Sequence, residues 1–236
     1  MQQTLFITGA GRRLGKVLAE FGLAQGHRVI AHYHSHCELD PHPNLICLQA
    51  DLADPASVQR LANEVNALGP VDRFIHNASC FVPDNKADDL SVHFDRHFHV
   101  HVLAPALLVE AMPWAPHAAM TAISDIYADI PNQRFAVYCA SKAALQNWSL
   151  SMAQRLAGKV RVNVIQPGPI QFLPEHDDAY RQKVLSQSLI PHELGYDAIV
   201  QACEYLHTSP AVTGTVMRVD GGRFVANRYD QTFLSL

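Results

Sequence analysis

Tyr138 and Lys142 lie four residues apart in Tyr-Cys-Ala-Ser-Lys, and Asp125 stands thirteen residues before the tyrosine. Four-residue spacing puts the phenol and the ammonium on one helical face, where the cation is expected to lower the phenol's pKa. A phenol tuned in this way can donate a proton near neutral pH, as hydride reduction of a C=O or C=N bond requires. Hydride transfer also needs a donor, and the chain begins with a segment suited to holding a dinucleotide. Thr8-Gly9-Ala10-Gly11-Arg12-Arg13-Leu14-Gly15 follows a short apolar run and leads into an amphipathic stretch. Such a turn aims backbone N–H groups at a pyrophosphate from a helix N-terminus. Gly9, Arg12, Arg13, Leu14 and Gly15 are therefore candidate cofactor contacts. A Gly-x-Gly fragment alone marks no more than a strand-to-helix turn; its place at the chain start and the later motifs make it specific.

Two details point to NADPH over NADH. Arg12 and Arg13 put two guanidiniums in the turn, available to phosphate oxygens. The second apolar run ends in His32-Tyr33-His34-Ser35, with no carboxylate where an NAD site would hold the ribose diol, which makes Tyr33 and His34 candidate contacts. Asp51 and Leu52 follow the third run, where a carboxylate can either accept from an adenine amino group or cap the next helix.

The elements that must position these residues alternate strand and helix. Strands are expected at Thr4–Thr8, His27–His34, Leu45–Gln49, Val71–His76, Ala118–Ile123, Val160–Ile165 and Val216–Val219. Helices are expected at Leu14–Gln25, Pro55–Leu68 (capped by Asp54), Ala87–Met112 (bent at Pro105), Gln133–Ala157, Asp177–Leu189 and Gly195–Leu206. This alternation implies an α/β fold: one Rossmann-type, doubly wound parallel sheet of about seven strands with helices on both faces.

The 236 residues are 48% hydrophobic and 17% charged, enough apolar material for one core and one domain over 1–236. A net charge of -4 argues against a general nucleic-acid binder. No apolar run is long enough to span a bilayer, and the start lacks a basic leader. Five cysteines, odd in number and without a Cys-x-x-Cys pair, suggest reduced thiols in a cytoplasmic protein.

Thr8-Gly9…Gly15, His76-Asn77-Ala78-Ser79, Tyr138…Lys142 and Gln166-Pro167-Gly168, in this order, resemble the short-chain dehydrogenase/reductase family from Thr4 to about Gly222. The resemblance adds Asn77, Ala78, Lys142, Pro167 and Gly168 to the expected cofactor contacts. Several positions depart from the family pattern. Arg13 replaces the middle glycine of the turn, Asp125 stands where the catalytic serine is usual, and Asn77-Ala78-Ser79-Cys80-Phe81 replaces the usual Asn-Ala-Gly. These departures together resemble the pteridine reductase branch. Glu175–Gln182 with Ser188-Leu189 narrows the resemblance to its bacterial members acting on 7,8-dihydromonapterin, which reduce dihydrofolate poorly. A further departure is His101, where the family has an asparagine on its proton-relay path; an imidazole there is compatible with a modified relay.

The resemblance implies a flat dihydropterin substrate held by stacking and by polar contacts at its rim. Phe81 would stack on one face and the nicotinamide on the other, while Arg13 and Ser79 contact the rim. A serine donates a hydrogen bond to a ketone oxygen, and an ionised carboxylate cannot. Asp125 with Tyr138 instead suits protonation at N5 of the C6=N5 imine, with Lys142 holding the nicotinamide ribose. Two other readings stay open: a short-chain carbonyl reductase for 3-oxoacyl or sugar substrates, and a non-catalytic NADPH-binding regulatory protein.

Fourteen histidines include His93, His97, His99 and His101, but no cysteine or Glu-x-x-His pattern completes a metal site, so none is expected. Substrate specificity is assigned to a loop at about 171–190. An apolar tail at about 223–236 and the family's habit suggest a homo-oligomer, a tetramer.

Overall fold

The computed structural model describes residues 2–226. Seven strands form one sheet: β1 (Thr4–Thr8), β2 (Arg28–Tyr33), β3 (Leu45–Gln49), β4 (Val71–His76), β5 (Trp114–Ile123), β6 (Val160–Pro167) and β7 (Val216–Val219). Their spatial order is β3-β2-β1-β4-β5-β6-β7. Every pairing is parallel. The chain builds β1 to β3 in one direction and then returns to lay β4 against β1, with Leu5 facing Arg73 and Thr8 facing His76. The order reverses there, and a crevice opens beyond the carboxyl ends of β1 and β4.

Helices α1 (Arg13–Ala24) and α7 (Asp197–Thr208) cover one face. Helices α2 (Pro55–Ala67), α4 (Ala104–Ala111) and α5 (Ala136–Arg155) cover the other. Strand alternation divides the core accordingly. Leu5 and Ile7 pack with Leu14, Leu18, Ile199 and Leu206, while Phe6 packs with Leu61, Phe74, Leu108 and Leu145. Phe6 and Phe74 stack with ring centroids 5.1 Å apart, joining β1 to β4 below the crevice.

Asp54 caps α2 as expected, accepting from the backbone N–H groups of Ala56 and Ser57. The long helix expected over Ala87–Met112 is instead α3 (Leu90–Phe98), a π-helical stretch at His99–Leu103, and α4. Asp89 starts α3 with a side-chain cap. Pro105 lacks an N–H for the His101 carbonyl and its ring crowds that carbonyl, so the ladder widens just before it. The helix expected to reach Leu189 is shorter: α6 spans Asp178–Leu185 and is capped by Asp177. Most of the expected apolar tail lies outside the described residues.

Candidate active site

Both glycine-rich turn and crevice are assembled from long-range contacts. Gly9 N–H donates to His32 Nδ1 at 3.1 Å, while His32 Nε2 bonds the Ala50 carbonyl at 3.1 Å. His32 is buried, and that burial lowers its pKa to about 4, so the ring stays neutral and can accept from the turn. Thr8 Oγ1 accepts from the N–H groups of Asn77 (3.1 Å) and Ala78 (3.2 Å), and Asn77 Nδ2 donates to the Gly9 carbonyl at 3.0 Å. The approach is close enough to exclude side chains: a Cβ on Gly15 would lie 2.0 Å from the Gly9 carbonyl oxygen.

A cavity of about 840 Å³ opens over this turn. Its wall includes Gly9, Arg12, Arg13, Leu14, Gly15, Tyr33, His34, Asp51, Leu52, Asn77, Ala78, Ser79 and Phe81, thirteen of the residues expected to bind cofactor or substrate. Pro167, Gly168 and Lys142, also expected at the cofactor, and Asp125 and Tyr138, expected at the substrate, do not line it. A Cβ on Gly168 would lie 2.8 Å from the Asp220 Cα, so close packing accounts for that glycine. None of residues 171–190 lines the cavity either. The sequence did not single out Ser35, His36, Arg96, Ile170 or Tyr196, which do. Tyr196 has no local signal; its hydroxyl accepts from Arg13 Nε at 3.1 Å, across 183 residues of chain.

The walls fit a dinucleotide with an extra phosphate. Helix α1 has no side-chain cap and no acidic residue in its first turn, whereas α2, α3 and α6 each carry an aspartate cap. Its leading N–H groups are thus left for an anion. Arg13 has a left-handed backbone, φ 53°, a conformation that favours glycine. An arginine held there serves through its side chain. Asp51 Oδ1 accepts from Ala53 N–H at 2.9 Å, a local turn, and its other oxygen lies 3.9 Å from His34. The carboxylate is therefore shared between local structure and the cavity wall.

Asp125, Tyr138 and Lys142 come together beside this cavity. Tyr138 Oη donates to Asp125 Oδ2 at 2.8 Å, while Asp125 Oδ1 accepts from Tyr127 N–H at 2.8 Å. Asp125 therefore caps a short 3-10 turn and holds the phenol at once. Lys142 Nζ donates to the Ile123 carbonyl at 2.9 Å. Tyr138 is 4% exposed and Lys142 is 2% exposed. Phe81 connects the trio to the cavity, with its ring 4.7 Å from that of Tyr138 in an edge arrangement. Phe81 is not free on both faces: it stacks on Phe135 at 4.2 Å and is 54% exposed.

The expected lowering of the Tyr138 pKa is overturned. Burial and the Asp125 carboxylate push the phenol well above its usual value. The carboxylate touches the phenol directly, whereas the ammonium is 5.7 Å from its ring centre and engaged elsewhere. Burial raises the Asp125 pKa, against hydrogen bonds from Tyr127 and Tyr138 and the charge of Lys142. Burial also lowers the Lys142 pKa, to about 8. The result is a phenol that keeps its proton and a carboxyl group that gives its proton up less readily than an exposed one, next to a cation.

The family model for short chain dehydrogenases matches residues 3–183. The chain belongs to that family. A dihydromonapterin reductase from Klebsiella pneumoniae is 36% identical over 234 residues, 93% of this chain and 95% of that one. One from Escherichia coli is 36% identical over 230 residues, with 93% and 95% covered. Among solved structures, FolM alternative dihydrofolate reductase 1 from Brucella canis, complexed with NADP, superposes with a TM-score of 0.83 at 29% identity over 96% of each chain.

Proposed function

We propose that this protein reduces a 7,8-dihydropterin, dihydromonapterin by preference and dihydrofolate weakly, to the tetrahydropterin with NADPH. The observation that carries this reading is the Tyr138–Asp125 hydrogen bond at 2.8 Å. A carboxylate beside the phenol opposes a phenolate, so Tyr138 is poorly placed to protonate a ketone oxygen alone. A relay avoids that charge: with Asp125 protonated the 2.8 Å hydrogen bond runs from Asp125 to Tyr138, and Asp125 passes its proton to Tyr138 as Tyr138 passes its own to N5. The negative charge then rests on Asp125, close to the Lys142 ammonium. The raised Asp125 pKa favours the protonated starting form. Bound NADPH would supply the hydride to C6.

Arg12, Arg13 and the uncapped N-terminus of α1 would hold its phosphates, with Tyr33 and His34 at the ribose. Asp51 and Leu52 would border the adenine, and Asn77, Ala78 and Lys142 the nicotinamide side. The absence of a carboxylate at the end of β2 supports NADPH over NADH. Phe81, Ser79 and Arg13 would contact the pterin; with Phe135 behind it, Phe81 offers one ring face. The names of the 36%-identical relatives and the NADP complex of the Brucella protein agree with this substrate and cofactor. Among the described residues no helix is long and apolar enough to cross a membrane. The reading also expects a cytoplasmic homo-oligomer, for which exposed Leu90 and Phe94, one turn apart on α3, offer an apolar surface.

Steady-state assays of Tyr138→Phe and Asp125→Asn on dihydromonapterin test the relay. Each is expected to lose about 10²-fold or more in kcat. Near wild-type turnover in both would overturn it.

A further inference from the structure

His101 sits in the π-helical stretch, fully buried between the turn after β4 and the catalytic helix α5. Its Nδ1 is 2.8 Å from Ser141 Oγ, and Ser141 Oγ donates to the Tyr138 carbonyl at 2.8 Å. Its Nε2 lies 2.9 Å from Ser79 Oγ and 3.3 Å from the Cys80 backbone nitrogen. A backbone N–H can only donate, so Nε2 is the bare nitrogen and Nδ1 carries the hydrogen. Ser141 gives the same answer from the other side. Its own proton is used on the Tyr138 carbonyl, which leaves its oxygen to accept from Nδ1–H.

The tautomer has a consequence for Ser79. With Nε2 an acceptor, the Ser79 hydroxyl must donate to it, and its only proton is spent. The Ser79 oxygen, which borders the cavity, is left with lone pairs alone. Protonating His101 would reverse this polarity, but burial and the Lys142 charge both hold its pKa well below the usual imidazole value.

We infer that His101 is a specificity-determining positioning residue that fixes Ser79 as a hydrogen-bond acceptor, so that the site takes a ring bearing an N–H or amino donor at that rim. This rests on the dihydropterin reading and sharpens it. A dihydropterin carries such donors around its edge. A simple ketone or 3-oxoacyl group carries only acceptors and gains nothing from Ser79.

Two measurements test the inference. Nitrogen NMR of ¹⁵N-histidine-labelled protein reads the His101 tautomer directly. The bare nitrogen is expected at Nε2 with the hydrogen on Nδ1, and the opposite tautomer overturns the inference. The second is a double-mutant cycle on the Kd of oxidised pterin for the NADP⁺ complex. Ser79→Ala and His101→Leu should each weaken pterin binding about five- to tenfold, and the double variant no more than either alone. His101→Gln, which keeps an acceptor facing Ser79, should bind within about threefold of wild type. NADPH affinity should hold throughout. Multiplicative losses, or wild-type pterin affinity in His101→Leu, overturn the inference while leaving the dihydropterin reading intact. Failure of the wild-type protein to bind any pterin overturns both.

Discussion

Acidification should destabilise this protein well before its ordinary carboxylates titrate. Among the buried histidines His32 is held at about 4 and His76 and His207 at about 3, while burial also keeps His101 well below its ordinary value and lowers His97. Burial is the main cause in each, helped by Lys142 at His76 and by Arg73 and Arg161 at His207. Unfolding frees these rings to titrate near their ordinary 6.5. A folded pKa below the unfolded one gives stability that is complete above 6.5 and is lost as pH falls below it. At pH 5.5 the folded rings remain neutral, while an unfolded ring is about 90% protonated. The linkage relation then gives about 1.4 kcal/mol per ring, or about 4 kcal/mol for His32, His76 and His207 alone. That is a large share of a total stability of about 5–15 kcal/mol. Asp125 works in the opposite direction, because its raised pKa lets the folded state take up a proton first. Urea melts of the apoprotein at pH 7.5 and 5.5 measure the difference, and His207→Gln should remove about 1.4 kcal/mol of it. A difference under about 1 kcal/mol with an unchanged m-value would refute neutral burial of these rings.

Other perturbations separate the parts of the site. Gly15→Ala places a Cβ 2.0 Å from the Gly9 carbonyl oxygen and 2.7 Å from Asn77 Nδ2, so thermal unfolding should drop and NADPH titration should show little binding. Arg13→Gly relieves a left-handed backbone at φ 53° but removes the Arg13–Tyr196 hydrogen bond. Its melting temperature should stay near wild type while the NADPH Kd rises about tenfold. Lys142, lowered to about 8, should give kcat/KM a falling limb above pH 8, since the ammonium is lost there. Lys142→Arg should move that limb to higher pH, and an unmoved limb would remove Lys142 from the assignment.

The periodic parts of the fold were legible in the sequence because β1, β3, β4 and β7 are short apolar runs closed by turn residues, and their expected bounds match. The stretch around Pro105 was harder. A proline signals a disturbed helix, but not that the chain answers with a π-helical stretch facing His101 inward. In the site, the spacing of Tyr138 and Lys142 set their common face correctly but gave the wrong sign for the phenol's pKa. Spacing along a helix shows which groups are neighbours in sequence, whereas the pKa follows burial first and then the nearest charge in space, and here burial and Asp125 both raise it. His32 and Tyr196 were invisible because their contacts to Gly9 and Arg13 form only in the folded chain.

The most direct test is a side-by-side assay of NADPH oxidation with purified protein on dihydromonapterin, dihydrobiopterin, dihydrofolate and a 3-oxoacyl thioester. The highest kcat/KM is expected on dihydromonapterin, with weak turnover of dihydrofolate and almost none of the thioester. Thioester reduction exceeding that of every dihydropterin would contradict the dihydropterin reading.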